Sequence, residues 1–381
     1  MPDRRSILQL LALSPLATLP SSCAAASDTN DPAAAWRNPG AGQSDPRLYS
    51  LAHAILAPNP HNRQPWLVSL EDKDSLTLYF DTQRRLPATD PFDRQLAVGC
   101  GAFLELLVIA AAQIGYQANI RLFPEGEPQP RMDDRPVARV TLIPGAAARD
   151  PLFAHITQRR SNKQLYDSKK AISPETLARL LMTEPDPSLF LAGALRGDPT
   201  CEALREISIQ AYRREIETPA TLKESVDLMR IGKAEIARYR DGIPLDFPGI
   251  GLMQATGMLT REKLMTPGSS IYKQGLEQTD PLAKSAAGYV WLVTRGNTRQ
   301  DQIAAGRAYA RLNLRATALD LAMHPMSQAL QEFPEMAEFK SAAEKTVQLE
   351  AGHCVQMLAR IGYGKSVPPA PRRGLSEHLR T

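Results

Sequence analysis

Two long helical segments that read as buried, the apolar Leu96–Ile114 and Ile303–Met323, constrain this chain more than anything else in it. The first is apolar almost all round, interrupted only by Glu105 and Gln113. A helix of that kind must be enclosed by other protein or by lipid. Its modest length and its internal carboxylate favour a buried core helix over a membrane span. The second segment repeats the first. An offset of 205 residues carries Gly101 onto Gly306, Leu107 onto Leu312, Ile109 onto Leu314, Ala111 onto Ala316 and Ile114 onto Leu319. Each helix follows a strand-like run with aromatic residues, Tyr79 in one case and Tyr289 and Trp291 in the other. The chain therefore reads as two related α+β halves, residues 46–149 and 150–381.

Composition fits two packed halves. Of 381 residues 43% are hydrophobic and 23% charged, which excludes a disordered chain, a collagen and a coiled-coil rod. The formal charge of +4 includes no long basic run, so no nucleic-acid partner is expected. Cys100, Cys201 and Cys354 lie far apart, no CxxC pair occurs, and the six His show no ligand spacing. That excludes a disulfide framework and argues against a metal site.

The beginning of the chain looks like a processing segment. Arg4 and Arg5 precede an apolar run from Ile7 to Leu19 and then Ala24-Ala25-Ala26, an arrangement resembling a twin-arginine signal peptide over 1–26. It predicts engagement of the twin-arginine export machinery and a periplasmic location. Cys23 leaves lipid anchoring as a second route, although Pro20 stands where lipidation signals favour Leu. Residues 27–45, rich in Pro, Gly and Asp, read as a flexible tether.

Further along, Leu48, Leu51, Ala52 and Ile55 mark a helical face that ends at Ala57-Pro58-Asn59-Pro60. Trp66–Leu70 and Leu76–Phe80 predict a hairpin, and Val137–Ile143 and Gly288–Thr294 predict strands. Ser173-Pro174-Glu175 opens a helix with Ser at the N-cap and Pro at the first position. Glu202–Tyr239 reads as one long charged helical stretch, and 241–270 breaks into Gly, Pro and Met.

Familiar catalytic patterns are missing. Gly249-Ile250-Gly251 begins a dinucleotide fingerprint, but Gln254 replaces the third glycine, and neither a Walker loop nor a GxSxG elbow occurs. Two segments carry polar groups in unusual density. Ala57–Trp66, APNPHNRQPW, places His61, Asn62, Arg63 and Gln64 on a Pro-flanked loop before a strand. Arg159-Arg160-Ser161-Asn162-Lys163 gathers two guanidiniums, a hydroxyl, an amide and an ammonium, the donors a phosphate needs. Arg372 and Arg373 could form a third arm.

These segments carry a resemblance. Pro58–Trp66 resembles the PSxxNxQPW loop of flavin-dependent nitroreductases. Arg159–Lys163, with Tyr166-Asp167 and Ile172–Glu175 behind it, resembles that family's RxSxKxF/Y opening motif. Leu86–Cys100, Gly306–Gln328 and Arg360–Arg373 match further. In that family two subunits share each FMN. Here both segments lie in one chain with the loop first, as in the fused, dormancy-associated (Acg-type) branch. The resemblance implies a nitroreductase-like fold as an intramolecular pseudo-dimer, a monomer with one complete site, one degenerate site, and a lid over about 240–280. It implies FMN with its phosphate against Arg159, Ser161, Arg372 and Arg373, and Arg160 as alternate. Lys163 would face the pyrimidine edge, Asn62 and Gln64 the ring or ribityl chain, and His324 and Pro325 the N5 edge. Asn59 and Pro60 depart from the motif. The activity implied is ping-pong hydride transfer through N5, from a reductant such as NAD(P)H to a nitro compound or quinone. No dedicated catalytic side chain is expected. Storage of FMN with little turnover, and a scaffold without flavin, are the rival readings.

Overall fold

The computed structural model describes residues 31–145, 147–182 and 189–380. The expected signal peptide, Cys23 and the first residues of the expected tether lie outside the described residues.

The first half runs α1 (Pro46–Ala54), β1 (Trp66–Leu70), β2 (Ser75–Phe80), α2 (Arg94–Gln113), β3 (Tyr116–Leu122) and β4 (Pro136–Pro144). The second runs α3 (Pro174–Leu180), β5 (Leu189–Leu195), α4 (Pro199–Glu217), β6 (Gly288–Thr294), α5 (Arg299–Ala318), β7 (Ala322–Pro325) and β8 (Cys354–Gly362). The two four-stranded sheets have the same order, β1-β2-β4-β3 and β5-β6-β8-β7, with every neighbouring pair antiparallel. The central helices α2 and α5 are 20 residues each, and the 205-residue offset read in the sequence carries one onto the other end to end.

These helices cross where both lack side chains. A Cβ on Gly101 would lie 2.1 Å from the Ile303 carbonyl oxygen, and one on Gly306 would lie 2.0 Å from that of Val98. Glu105, the charge inside the apolar helix, is buried and accepts from Arg307 Nε at 2.7 Å and Arg311 Nη1 at 2.9 Å on α5. A buried carboxylate is tolerated because two guanidiniums meet it. Each central helix also begins with a buried arginine that reaches into the other half. Arg94 donates to the carbonyls of Gln356 and Leu330, and Arg299 to those of Pro128, Phe92 and Pro130.

The spatial halves do not divide at residue 150. Leu152 and Ile156 pack in the first core, and Leu375 and Leu379 pack against it from the far end of the chain. There Leu379 bridges Val68 in parallel beside β1. Residues 31–45, expected to be a tether, are instead packed onto the protein as far as they contain Trp36. This indole is 6% exposed and its Nε1 donates to the Ala370 carbonyl at 2.8 Å.

Between β5 and β6 the second half inserts residues 196–287, where the first half has the four-residue turn 71–74. The single long helix expected over 202–239 is broken by Pro219 and by Gly232, whose φ is +78°. Beyond it, Ile250–Ala255, Arg261–Met265 and Ser270–Glu277 are short helices around a small core of Ile231, Ile250 and Leu259.

Candidate functional site

The 159–163 segment is anchored by its middle amide. Asn162 is buried, its backbone N–H donates to the Met323 carbonyl at 2.9 Å, and its Nδ2 to that of Lys365 at 2.8 Å. This fixes Arg159 and Arg160 on one side and Lys163 on the other.

On the first side three guanidiniums surround Trp36. The Cζ atoms of Arg159, Arg160 and Arg372 lie 5.5, 4.7 and 5.2 Å from the centroid of its ring. None of the three pairs with a carboxylate among the described residues. Arg372 directs its N–H groups to the carbonyls of Ile55, Leu56, Ala57 and Pro371 and to Asn62 Oδ1. Three of those carbonyls follow the last turn of α1, at the negative end of the helix dipole. Arg159 Nη2 joins them at Leu56, 2.9 Å away. Arg160 donates to the carbonyls of Thr157 and Arg159. Burial holds Arg372 well below the usual arginine range, reinforced by Arg159 and Arg160, and lowers Arg159 to about 10. The Nε atoms of Arg159 and Arg160 are buried without a partner. An uncompensated cation cluster with free, buried N–H groups suits an anion.

The Pro-flanked loop is drawn tight by its own side chains. His61, Asn62 and Gln64 all have φ near +50°, a conformation that non-glycine residues hold only when something fixes it. Asn59, the departure from the motif, is part of that fixing: its Oδ1 accepts from Gln64 N at 2.7 Å. Asn62 Nδ2 donates to the Pro371 carbonyl at 2.9 Å. Gln64 has no exposed surface; its Nε2 donates to the Arg240 carbonyl at 2.9 Å and its Oε1 accepts from Arg373 N at 2.9 Å. The expected contact of Gln64 with a ring or ribityl chain is thus corrected. Its amide is enclosed and engaged within the protein. Arg373 is also placed elsewhere than expected, on Gln64 O at 3.1 Å and beside His378 rather than on Trp36.

On the other side Lys163 is exposed, and desolvation by the surrounding protein lowers its pKa. Residues from three elements feel its charge. Burial, with Lys163 and Arg63, pushes His61 down to about 3. Burial, with Arg360 and Lys163, holds His324 of β7 well below the usual imidazole range. Burial raises Glu215 of α4 to about 7, against the opposing effects of its 2.7 Å hydrogen bond from Gln331 and of Lys163. Ser161 and Pro325 are half-buried, Pro325 opposite Ala359 in the sheet.

The arrangement brings together Arg159, Arg160 and Arg372, and separately Lys163 and His324; Asn62 tethers Arg372. Sequence reading missed Trp36, Glu215 and Arg360. Trp36 was the one aromatic in its polar segment, which was the available signal. Among the described residues no group of His, Cys, Asp and Glu is placed to hold a metal ion.

No protein-family model matches the chain. It is 29% identical over 333 residues to the "Putative NAD(P)H nitroreductase Rv3131" of Mycobacterium tuberculosis, covering 86% of this chain and 89% of that one. A match of that length necessarily runs through both halves. The "Putative NAD(P)H nitroreductase acg" of the same species is 42% identical over 71 residues, 19% of this chain and 21% of that one. Among solved structures, the FMN-dependent nitroreductase NfnB of Mycobacterium smegmatis, in complex with NADPH, aligns at 18% identity over 58% of this chain and 94% of that one, with a TM-score of 0.34. The curated relatives support a nitroreductase-like family for this two-half chain.

Proposed function

We propose that the protein is an FMN-dependent oxidoreductase of the nitroreductase type. The observation that carries this is the carboxylate-free arginine cluster with two unpartnered Nε atoms, separated by two residues of chain from an exposed lysine. Arg159 and Arg160, with Ser161, would hold the phosphate, while Arg372 keeps them against α1 and Asn62. Lys163 would hold the pyrimidine edge, where positive charge favours an electron-rich ring. His324 and Pro325 would border the opposite edge. When bound, FMN supplies hydride acceptance and donation through N5 in two half-reactions, from NAD(P)H or another small reductant to a nitro compound or quinone. The insertion, tied to the loop at Arg240–Gly242, would act as a lid. The two halves supply each other's partner, which supports a monomer. The sequence of 1–26 supports export through the twin-arginine machinery to the periplasm.

Purified protein tests this. Expected are a flavin absorbance band, anaerobic bleaching by NAD(P)H or a reduced viologen, and reoxidation by a quinone or nitroaromatic. A colourless protein that takes up no FMN would overturn the reading. Tight FMN that neither acceptor reoxidises would favour storage instead.

A further inference from the structure

Arg360 and His324 are opposite one another on the adjacent strands β8 and β7. Arg360 has no exposed surface, and its Nε lies 3.1 Å from His324 Nδ1. Its other N–H groups go to the carbonyls of Leu282 at 2.9 Å, Gln164 at 2.8 Å and Asn162 at 3.4 Å, and to Ser285 Oγ at 3.4 Å. Its Cζ lies 4.0 Å from the centroid of the Tyr166 ring. An arginine so held keeps its orientation and cannot lose its proton. The Nε–H therefore points at Nδ1, and Nδ1 can only accept. A proton on Nδ1 would set two N–H groups against each other.

The imidazole proton is left on Nε2. That atom has no partner among the described residues and is not among the buried, unpartnered atoms, so it is open to a ligand or to solvent. The charged groups facing this ring are Arg360 from β8 and Lys163 from the 159–163 segment, both cations, and neither favours an imidazolium.

We infer that Arg360 fixes His324 as the neutral Nε2–H tautomer, presenting an uncharged hydrogen-bond donor to an acceptor oxygen. The ligand class is a molecule whose oxygen gains negative charge on reduction, a quinone or nitro oxygen, because a fixed donor stabilises charge as it develops. Arg360 is a positioning residue; His324 is the group that would touch the ligand. The ligand class rests on the proposed function, but the tautomer does not.

The test is a long-range proton–nitrogen correlation spectrum of the full chain labelled with 15N-histidine, with the His324 signals identified by their loss in His324→Gln. Expected is a protonated Nε2 and a bare Nδ1, unchanged from pH 5 to pH 8. A protonated Nδ1, or titration near pH 6.5, would overturn the inference. Arg360→Lys, which retains a cation without the fixed fork, should give a mixture of tautomers, and an unchanged spectrum would count against Arg360 as the cause. On the loaded protein, His324→Leu should lower kcat/KM for a quinone about tenfold more than it lowers the rate with ferricyanide, which needs no donor. Equal loss with both acceptors would remove the ligand assignment. Flavin content is read separately, so a protein without FMN but with the stated tautomer refutes only the proposed function.

Discussion

Gly101 and Gly306 meet where the two central helices cross, and neither position has space for a methyl group. The nearest atoms to an added Cβ are backbone carbonyl oxygens, at 2.1 and 2.0 Å, so the helices themselves would have to separate. Gly101→Ala or Gly306→Ala should each cost about 3 kcal/mol or more, the upper range for overpacking a core. Gly251→Ala is the control, since nothing lies within 4 Å of its Cβ direction. It should be neutral or stabilising by up to ~1 kcal/mol, because alanine is the better helix former. Urea denaturation of the three variants checks this. Equal effects at Gly101 and Gly251 would mean that the halves do not interlock through these glycines.

Arg160 and Arg372 share one indole but should behave differently. Arg372→Ala strands the carbonyls after α1 and the amide of Asn62, and should destabilise the protein by about 2–4 kcal/mol whether or not flavin is present. Arg160→Ala removes only bonds to its own segment and one cation–π contact, about 1 kcal/mol at most. Its effect should fall on the phosphate: affinity for FMN drops about tenfold while that for riboflavin stays put. Parallel titrations with the two flavins decide it, and an equal loss for both would place Arg160 outside the phosphate arm.

What was legible in the sequence was local. The central helices, the hairpin, the strand around Val137–Ile143 and the Ser173 cap all follow from periodicity or a neighbouring turn residue, and they fold as read. Strand β8 was not legible. All nine of its residues are buried, including Gln356 and Arg360, so no alternation marks it as a strand. Trp36 was hidden because its partners lie more than a hundred residues away. Gln64 shows the limit for a site: sequence reveals that an amide is present, whereas only the fold reveals that it is already hydrogen-bonded at both ends.

Glu215 gives the stability a pH dependence of its own. Its carboxyl is held at about 7 in the folded protein, chiefly by burial, against ~4.3 in an unfolded chain. Between those values the folded state binds the extra proton, so this group's contribution falls as pH rises and levels off above 7. The shift corresponds to roughly 3 kcal/mol. Glu215→Gln keeps an acceptor for Gln331 and cannot ionise. Relative to wild type it should be about as stable at pH 4 and more stable at pH 8. Urea midpoints at both pH values test this; the same difference at each would show that Glu215 does not titrate in that window.

Asp241 fastens the insertion to the rest of the protein. It is buried, accepts from Arg84 Nη1 at 2.7 Å and from Arg230 Nε at 3.0 Å, and lies 3.8 Å from Arg63 Nη1. Its neighbours complete the attachment, with the Arg240 carbonyl on Gln64 Nε2 and Gly242 N–H on the Asn62 carbonyl at 3.2 Å. Gly242 has φ of +72°, and a Cβ there would lie 2.3 Å from the Leu228 carbonyl oxygen, so the turn admits no other residue without rebuilding. Asp241→Asn leaves three guanidiniums without their shared carboxylate, a loss on the order of 3–5 kcal/mol where such a pair is buried. The loss should be local. Hydrogen exchange should accelerate in Met229–Ile231 and Ile243–Leu245 while the amides of β8 stay protected. Uniform acceleration across both sheets would mean that the insertion is part of the global fold and not a separately opening segment.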